Sequence, residues 1–296
     1  MSADRVLYVT ADDFGYCPQR NHGIIDCFKE NGITDTSLLV NTSYAKHAVD
    51  LGLHHGLPMG LHFNVSEGHP LSEAKDIESL LDKDGCFLDK DQMLLAGEER
   101  RLCVNQIKTE LKAQLEKFKV LTGSYPKRVD GHQHVHVFPT IREAFAQVLN
   151  EYNIALTRIP LDKSLPQADW MVPELKQFLE EVNECAKQTR ELFTAHGIKS
   201  SDAFLGCSLM NFESTANLTL ENLRSVMTSV PTGTISLELM VHPGYASTTE
   251  NGGCGQGPDD FAKDISRNWE LNFLTSKELQ EYWNAEGWNK ASWENL

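Results

Sequence analysis

The sequence predicts an α/β fold: an irregular (β/α) TIM-like barrel of parallel strands, with residues 1–296 as a single domain. Three observations lead there. Short apolar runs alternate with amphipathic stretches about seven times along the 296 residues. Carboxylates and imidazoles stand just after several of those runs, at strand C-termini, where a barrel assembles its site. A flat, doubly wound sheet is the alternative, and the Gly-x-Gly-x-x-Gly turn after the first run that would favour dinucleotide binding is missing.

The elements follow in order. Residues 6–11 (VLYVTA) read as a buried strand, and residues 23–30 as the helix after it. Residues 36–41 form the second strand, 45–53 a helix and 59–63 the third strand. Residues 98–121 have helical spacing, with Leu102, Ile107, Leu111, Leu115, Phe118 and Leu121 on the apolar side. A short strand at 128–130 precedes a helix at 140–150, and a further strand is expected at 154–159. A long helix over 174–196 stops at Gly197, a residue suited to ending a helix. Strands at 203–209 and 234–241 flank a helix at 218–229. Two loops break the rhythm, 64–97 and the glycine-rich 242–260. Loops of that length in a compact domain commonly cover or bind a ligand. Residues 261–296 carry Trp269, Trp283, Trp288 and Trp293, read as a segment docked on the barrel.

Charge and composition exclude several partners. Lys and Arg number 27 against 42 Asp and Glu, a net charge of −15. With no basic cluster, nucleic acid and anionic membrane are not expected partners. No run of 18 apolar residues appears, and the first residues show no targeting pattern. The seven cysteines form no Cys-x-x-Cys pair. Free thiols in a reducing, cytoplasmic compartment are the expectation.

The chemistry-bearing residues lie in four places. The first strand ends in Asp12-Asp13 before Phe14-Gly15. Adjacent carboxylates after a buried run are costly unless used, and their side chains diverge, so one suits a metal and the other a base. Otherwise one caps the next helix and the other is solvated. The third strand ends in Gly60-Leu61-His62-Phe63, where the histidine is a ligand or a core residue. The run Asp130-Gly131-His132-Gln133-His134-Val135-His136 places three histidines at alternate positions, sharing one face if the strand continues. Imidazoles bind divalent metals well, but the sequence does not say which histidine is the ligand. The last barrel strand ends in His242-Pro243-Gly244, where an imidazole of near-neutral pKa suits a general acid. Arg158 is a charge inside an apolar strand, read as neutralising the acidic cluster or holding substrate.

Taken together, Ala11-Asp12-Asp13-Phe14-Gly15, Gly60-Leu61-His62-Phe63, Asp130 to His136 and His242-Pro243-Gly244 resemble the YdjC-like carbohydrate deacetylases over almost the whole chain. The resemblance implies an irregular barrel that removes acetyl groups from N-acetylated sugars such as N-acetylglucosamine oligosaccharides. It implies a divalent ion, Mg²⁺ first and Zn²⁺ second, held by Asp13, His62 and His132. It also implies Asp12 as general base and His242 as the acid that protonates the leaving amine. Arg158, His134 and His136 are then expected at the substrate. The partner is a small carbohydrate, and a homodimer is known in the family. Two rivals remain at this level: another barrel-type metal hydrolase acting on a different amide or ester, and a non-catalytic sugar-binding protein.

Overall fold

A computed structural model describes residues 5–248, 250 and 252–295. Strand β1 (Arg5–Phe14) is the hub, and its last eight residues are buried. Pro18 then opens helix α1 (Pro18–Lys29), its fixed φ suited to a first helical turn, and the Cys17 thiol caps it. Strand β2 (Asp35–Leu38), helix α2 (Ala45–His55) and strand β3 (Met59–Phe63) follow, with Gly56 in the left-handed conformation ending α2.

The excursion after β3 is more ordered than a loop. It contains two 3₁₀ turns and helix α3 (Lys90–Glu98). An Asp89–Gln92 capping box nucleates that helix, each side chain bonding the other's backbone. Helix α4 (Val104–Thr122) therefore begins six residues later than expected, after the break that ends α3. Strand β4 (Arg128–Gly131), helix α5 (Ile141–Glu151) and strand β5 (Leu156–Thr157) come next. Helix α6 (Pro173–Ala195), strand β6 (Ala203–Leu205), helix α7 (Leu220–Met227) and strand β7 (Ser236–Val241) complete the alternation.

Two expected strands are shorter than their apolar runs. The run at 154–159 gives only the two residues of β5, because a bond from the Leu161 N–H to the Ile159 carbonyl turns the chain. The run at 203–209 stops at Leu205, because Gly206 at φ 136° leads into a 3₁₀ turn at Cys207–Leu209.

The strand order is β5-β4-β3-β2-β1-β7-β6, all pairs parallel. Seven strands curl into an incomplete barrel with β5 and β6 at its two ends. Short helices α8 (Asp260–Lys263), α9 (Ser266–Leu274) and α10 (Lys277–Ala285) lead to strand β8 (Trp288–Lys290), which pairs with Arg5–Leu7 at the start of β1. A three-residue strand carries no apolar run, so the sequence showed no trace of β8. Trp293 then stacks on Tyr8 at 4.0 Å and 19°, and Leu156 completes that cluster.

The helices bury their apolar stripes on the outside of the sheet. Leu7, Val9 and Ala11 of β1 and Leu237, Leu239 and Val241 of β7 belong to that outer core. Alternation turns Thr10, Asp12 and Glu238 to the other face, where they meet charge rather than hydrocarbon. Arg128 bonds Asp130 at 2.6 Å and Ser37 at 2.7 Å, and Arg158 bonds Glu238 at 2.9 Å. Buried charges persist only when paired, so these pairs form one unit: removing one partner costs about 3–5 kcal/mol. Among the described residues, no helix is long and apolar enough to cross a membrane.

Candidate active site

The site forms at the C-terminal ends of β1, β3, β4 and β7. Asp12 and Asp13 are both buried, at 2% and 6% exposure, so neither is solvated. Neither caps α1, where Cys17 takes that role. Their side chains do diverge, and the backbone helps. Asp13 sits at φ 67°, in the left-handed region that Asp tolerates, next to a register irregularity between β1 and β2. Asp12 points to Arg158, which holds both its oxygens, at 2.6 and 2.8 Å. Asp13 instead faces two histidines: its Oδ1 lies 3.1 Å from His132 Nδ1 and 3.5 Å from His62 Nε2.

The histidine run does not continue β4. The strand ends at Gly131, and His132–Val137 forms a 3₁₀ segment with Gln133 at φ 50° and His134 at φ 61°. The expected shared face is therefore lost, and the three rings part. His132 joins Asp13. His134 lines the cleft. His136 turns into the core, fully buried, with Nε2 3.0 Å from the Arg158 carbonyl and its ring between Phe145 and Phe193.

Each of the two rings facing Asp13 is oriented from behind. His62 Nδ1 lies 2.6 Å from Asp130, and His132 Nε2 lies 2.9 Å from Glu67. A carboxylate on the far nitrogen fixes the ring orientation and raises the basicity of a metal-binding histidine. Tyr16 donates to Glu67 at 2.8 Å and accepts from the Asp259 N–H at 3.2 Å. His132 is thereby tied to both long loops. Those loops also touch directly: a Cβ on Gly68 would fall 1.8 Å from the Cys254 carbonyl, so only glycine fits there.

The donor set fits a divalent metal. One carboxylate oxygen and two imidazole nitrogens, from Asp13, His62 and His132, lie within 4.8 Å of one another. Three such ligands leave positions for water and substrate. A second group, Asp12, His62 and Asp130, meets the same distance. Its carboxylates already hold Arg158 and Arg128, which supply the positive charge, so the geometry favours one ion.

The carboxylates around the two rings favour their protonated forms. Burial opposes charge on His132, but hydrogen bonds to Asp13 and Glu67 outweigh it and push its pKa up to about 10. Burial likewise opposes charge on His62, and the Asp12 and Asp130 carboxylates raise it. Asp13 is held well below the usual carboxylate range, its hydrogen bonds to His132 and His62 overcoming burial. The raised His132 value stabilises the metal-free fold below about pH 6.5, and this stabilisation is lost as pH rises toward about 10. A metal ion held by these rings would have to displace those protons. Titration calorimetry in buffers of different ionisation enthalpy is expected to show proton release, with affinity rising between pH 6 and 9. A pH-independent affinity would remove His132 and His62 as ligands.

His242 lines the same cleft, its ring edge-on to Phe261 at 5.1 Å. Its carbonyl accepts from Arg20 and Arg267, both at 3.1 Å. Burial, helped by Arg267, Arg20 and Arg158 and opposed by Asp13, holds its pKa well below the usual value. That shift favours the neutral ring. Leu175, Phe178, Leu179, Met210 and Phe212 give the same cleft an apolar lining.

Arg158, expected at the substrate, stands behind the cleft at 0% exposure, bonded to Asp12 and Glu238 and 3.5 Å from Asp130. Both Arg158 and His136 are buried beneath the site, which replaces the expectation that they touch substrate. Of that trio only His134 reaches the cleft. Sequence reasoning missed Glu67, Tyr16 and Asp259. Glu67 stands four residues after the end of β3, and that proximity to His62 was the available signal.

An incomplete α/β barrel that gathers Asp, His and His at its C-terminal mouth defines a class of barrel proteins with a candidate metal site. Within that class, the chain belongs to the YdjC-like protein family, whose model matches residues 6–285. A carbohydrate deacetylase of Xenopus laevis is 41% identical, over 95% of this chain and 94% of its own. A carbohydrate deacetylase of Clostridium beijerinckii is 30% identical, over 94% of each chain. A crystal structure from Enterococcus faecalis, of a protein named for a proposed cleavage of cellobiose phosphate, covers 99% of both chains. Its TM-score is 0.76 and its identity 21%, so the likeness speaks to the fold alone.

Proposed function

We propose that this protein hydrolyses the acetamide of N-acetylated sugars and releases acetate. The observation that carries this is the convergence of Asp12, Asp13, His62, His132 and His242 on one half-apolar cleft. Relatives matched over nearly their whole length, in vertebrates and in a bacterium, bear the name carbohydrate deacetylase.

Asp13, His62 and His132 would hold the ion, with Mg²⁺ proposed and Zn²⁺ the alternative. When bound, a divalent ion there polarises a carbonyl and lowers the pKa of water. The chain's own groups do the rest. Arg158 fixes the plane of Asp12, whose remaining lone pairs accept the proton of the attacking water. His242 gives a proton to the leaving nitrogen. It takes that proton from solvent before the C–N bond breaks and is left neutral afterwards, while Asp12 returns the water's proton to solvent. The apolar lining of Leu175, Phe178 and Met210 takes the acetyl methyl and the apolar face of the sugar, and keeps bulk water out. The seven free thiols, six of them buried, suit a reducing compartment, and we place the protein in the cytoplasm.

The test is acetate release from N-acetylglucosamine and its short β-1,4 oligomers, before and after EDTA and after adding back Mg²⁺ or Zn²⁺. Release that disappears with EDTA and returns with metal is the expected result. Absence of release from every sugar and with every metal would overturn the proposal.

A further inference from the structure

Two cavities open at the seam of the barrel, where β5 and β6 end the sheet. One, of about 250 Å³, is lined by Ala203–Leu205 of β6 together with Lys163 and Asp202. The other is lined by Thr157 of β5, Lys199 and Ser200. Arg190 of α6 lines both, and neither shares a lining residue with the active-site cleft. We propose that Arg190 is the centre of an anion site that takes a phosphate group, either free or as the monoester of a small molecule. The site stands whether or not the protein is a deacetylase.

Arg190 differs from the other shielded arginines. Arg20, Arg128, Arg158 and Arg267 are all buried, and each has an acceptor. Arg20 and Arg267 bond the His242 carbonyl, Arg128 bonds Asp130, and Arg158 bonds Asp12. Arg190 is half-buried, yet its guanidinium makes no hydrogen bond or ion pair among the described residues. Burial draws its pKa down, and Asp202 is the charge that opposes this. A guanidinium held partly out of water without an acceptor forgoes the charge-assisted bonds it could make. Its planar fork of N–H donors fits two oxygens of one phosphate at once.

The surroundings favour an anion. Lys163 and Lys199 add positive charge, and Asp202 is the one acidic residue lining either cavity. Three cations against one carboxylate leave the lining at +2, in a chain whose net charge is −15. The Asp202 Oδ2 accepts the Ile235 and Ser236 N–H groups, at 3.1 and 2.9 Å. Its charge is engaged by backbone donors rather than by the Arg190 guanidinium. Strand β6 stands at the end of the strand order, and an edge strand leaves backbone N–H groups without strand partners, a further source of donors. A volume of about 250 Å³ lies just below the roughly 300 Å³ at which small-molecule pockets begin, so a phosphate with a short organic body fits and a long chain does not.

The experiment is calorimetric titration of the full, metal-free chain at constant ionic strength, with inorganic phosphate and glycerol 3-phosphate as probes. Saturable binding of at least one probe is expected, with a dissociation constant of about 1 mM or below. Tighter binding of the ester would identify a phosphorylated small molecule as the ligand, and equal or tighter binding of inorganic phosphate would identify the free ion. Arg190→Gln is expected to weaken the binding at least about tenfold. Arg190→Lys keeps the charge but loses the planar fork, and is expected to fall between the two. Arg190 bonds nothing in the fold, so both variants are expected to melt close to the unaltered chain, which a thermal scan checks. No saturable binding of either probe up to about 10 mM would overturn the site. Binding that is unchanged in Arg190→Gln would overturn it as well, by placing the anion elsewhere.

Discussion

Asp12→Asn is expected to keep its metal and lose acetate release by about 10²-fold or more. The substitution preserves shape and removes the charge that makes Asp12 a proton acceptor. The metal set does not include Asp12, so metal content per chain, measured by elemental analysis, should match the unaltered protein. Arg158 complicates the site, because its guanidinium would face a neutral amide in place of a carboxylate. Glu238 at 2.9 Å remains as its partner, which favours a folded variant. A thermal melt accompanies the kinetics. Near-normal turnover in a folded, metal-loaded variant would remove Asp12 as the base. A loss of about 10²-fold corresponds to roughly 2.7 kcal/mol of transition-state stabilisation.

Asp13→Ala is expected to abolish metal binding and, with it, turnover by about 10³-fold or more, because metal stabilisation of developing charge is worth several kcal/mol. Asp13 is the only carboxylate of the three-residue group and the one that meets both rings. Without it, His132 retains Glu67 and His62 retains Asp130, so the rings keep their orientation but lose the anion that draws a cation between them. His132→Ala should give the same result by removing a neutral donor instead. Normal metal content in both variants would show that the ion sits elsewhere. The Asp12, His62 and Asp130 group would then be the place to look, and Asp130→Asn the next variant.

The sequence reading was strongest where the physics is local. Strand β1 was legible because a six-residue apolar run can only be a buried strand or a short helical segment, and the Asp12-Asp13 pair at its end stood out by its cost. Helix α4 was legible from spacing alone, although its start was not, because the capping box that forms α3 lies inside a polar stretch. The ends of the apolar runs were less legible. Ile159 and Leu209 belong to such runs but lie outside the strands, since strand length depends on pairing with a neighbour and β5 and β6 stand at the edges of the sheet. Strand β8 was invisible, since its three residues acquire strand geometry only by pairing with Arg5–Leu7.

The site divides in the same way. Asp12, Asp13, His62 and His242 could be picked out because each is a polar group at the end of an apolar run, and the order of runs implied a barrel that gathers such ends; which histidine of the 132–136 run joins them came only from the family resemblance. Tertiary structure decided what those residues touch. Three histidines at alternate positions read as one face, yet two positive-φ residues separate them, and backbone conformation of that kind is set by the packing around it. Arg158 read equally well as a substrate ligand or as a counter-charge. Only the positions of Asp12 and Glu238, 146 and 80 residues away in sequence, made it a counter-charge. Glu67 orients His132 across 65 residues. Periodicity and apolar runs are properties of neighbours in the chain. Ion pairs, ring orientation and cavity shape are properties of neighbours in space, and those neighbours exist only once the barrel has folded.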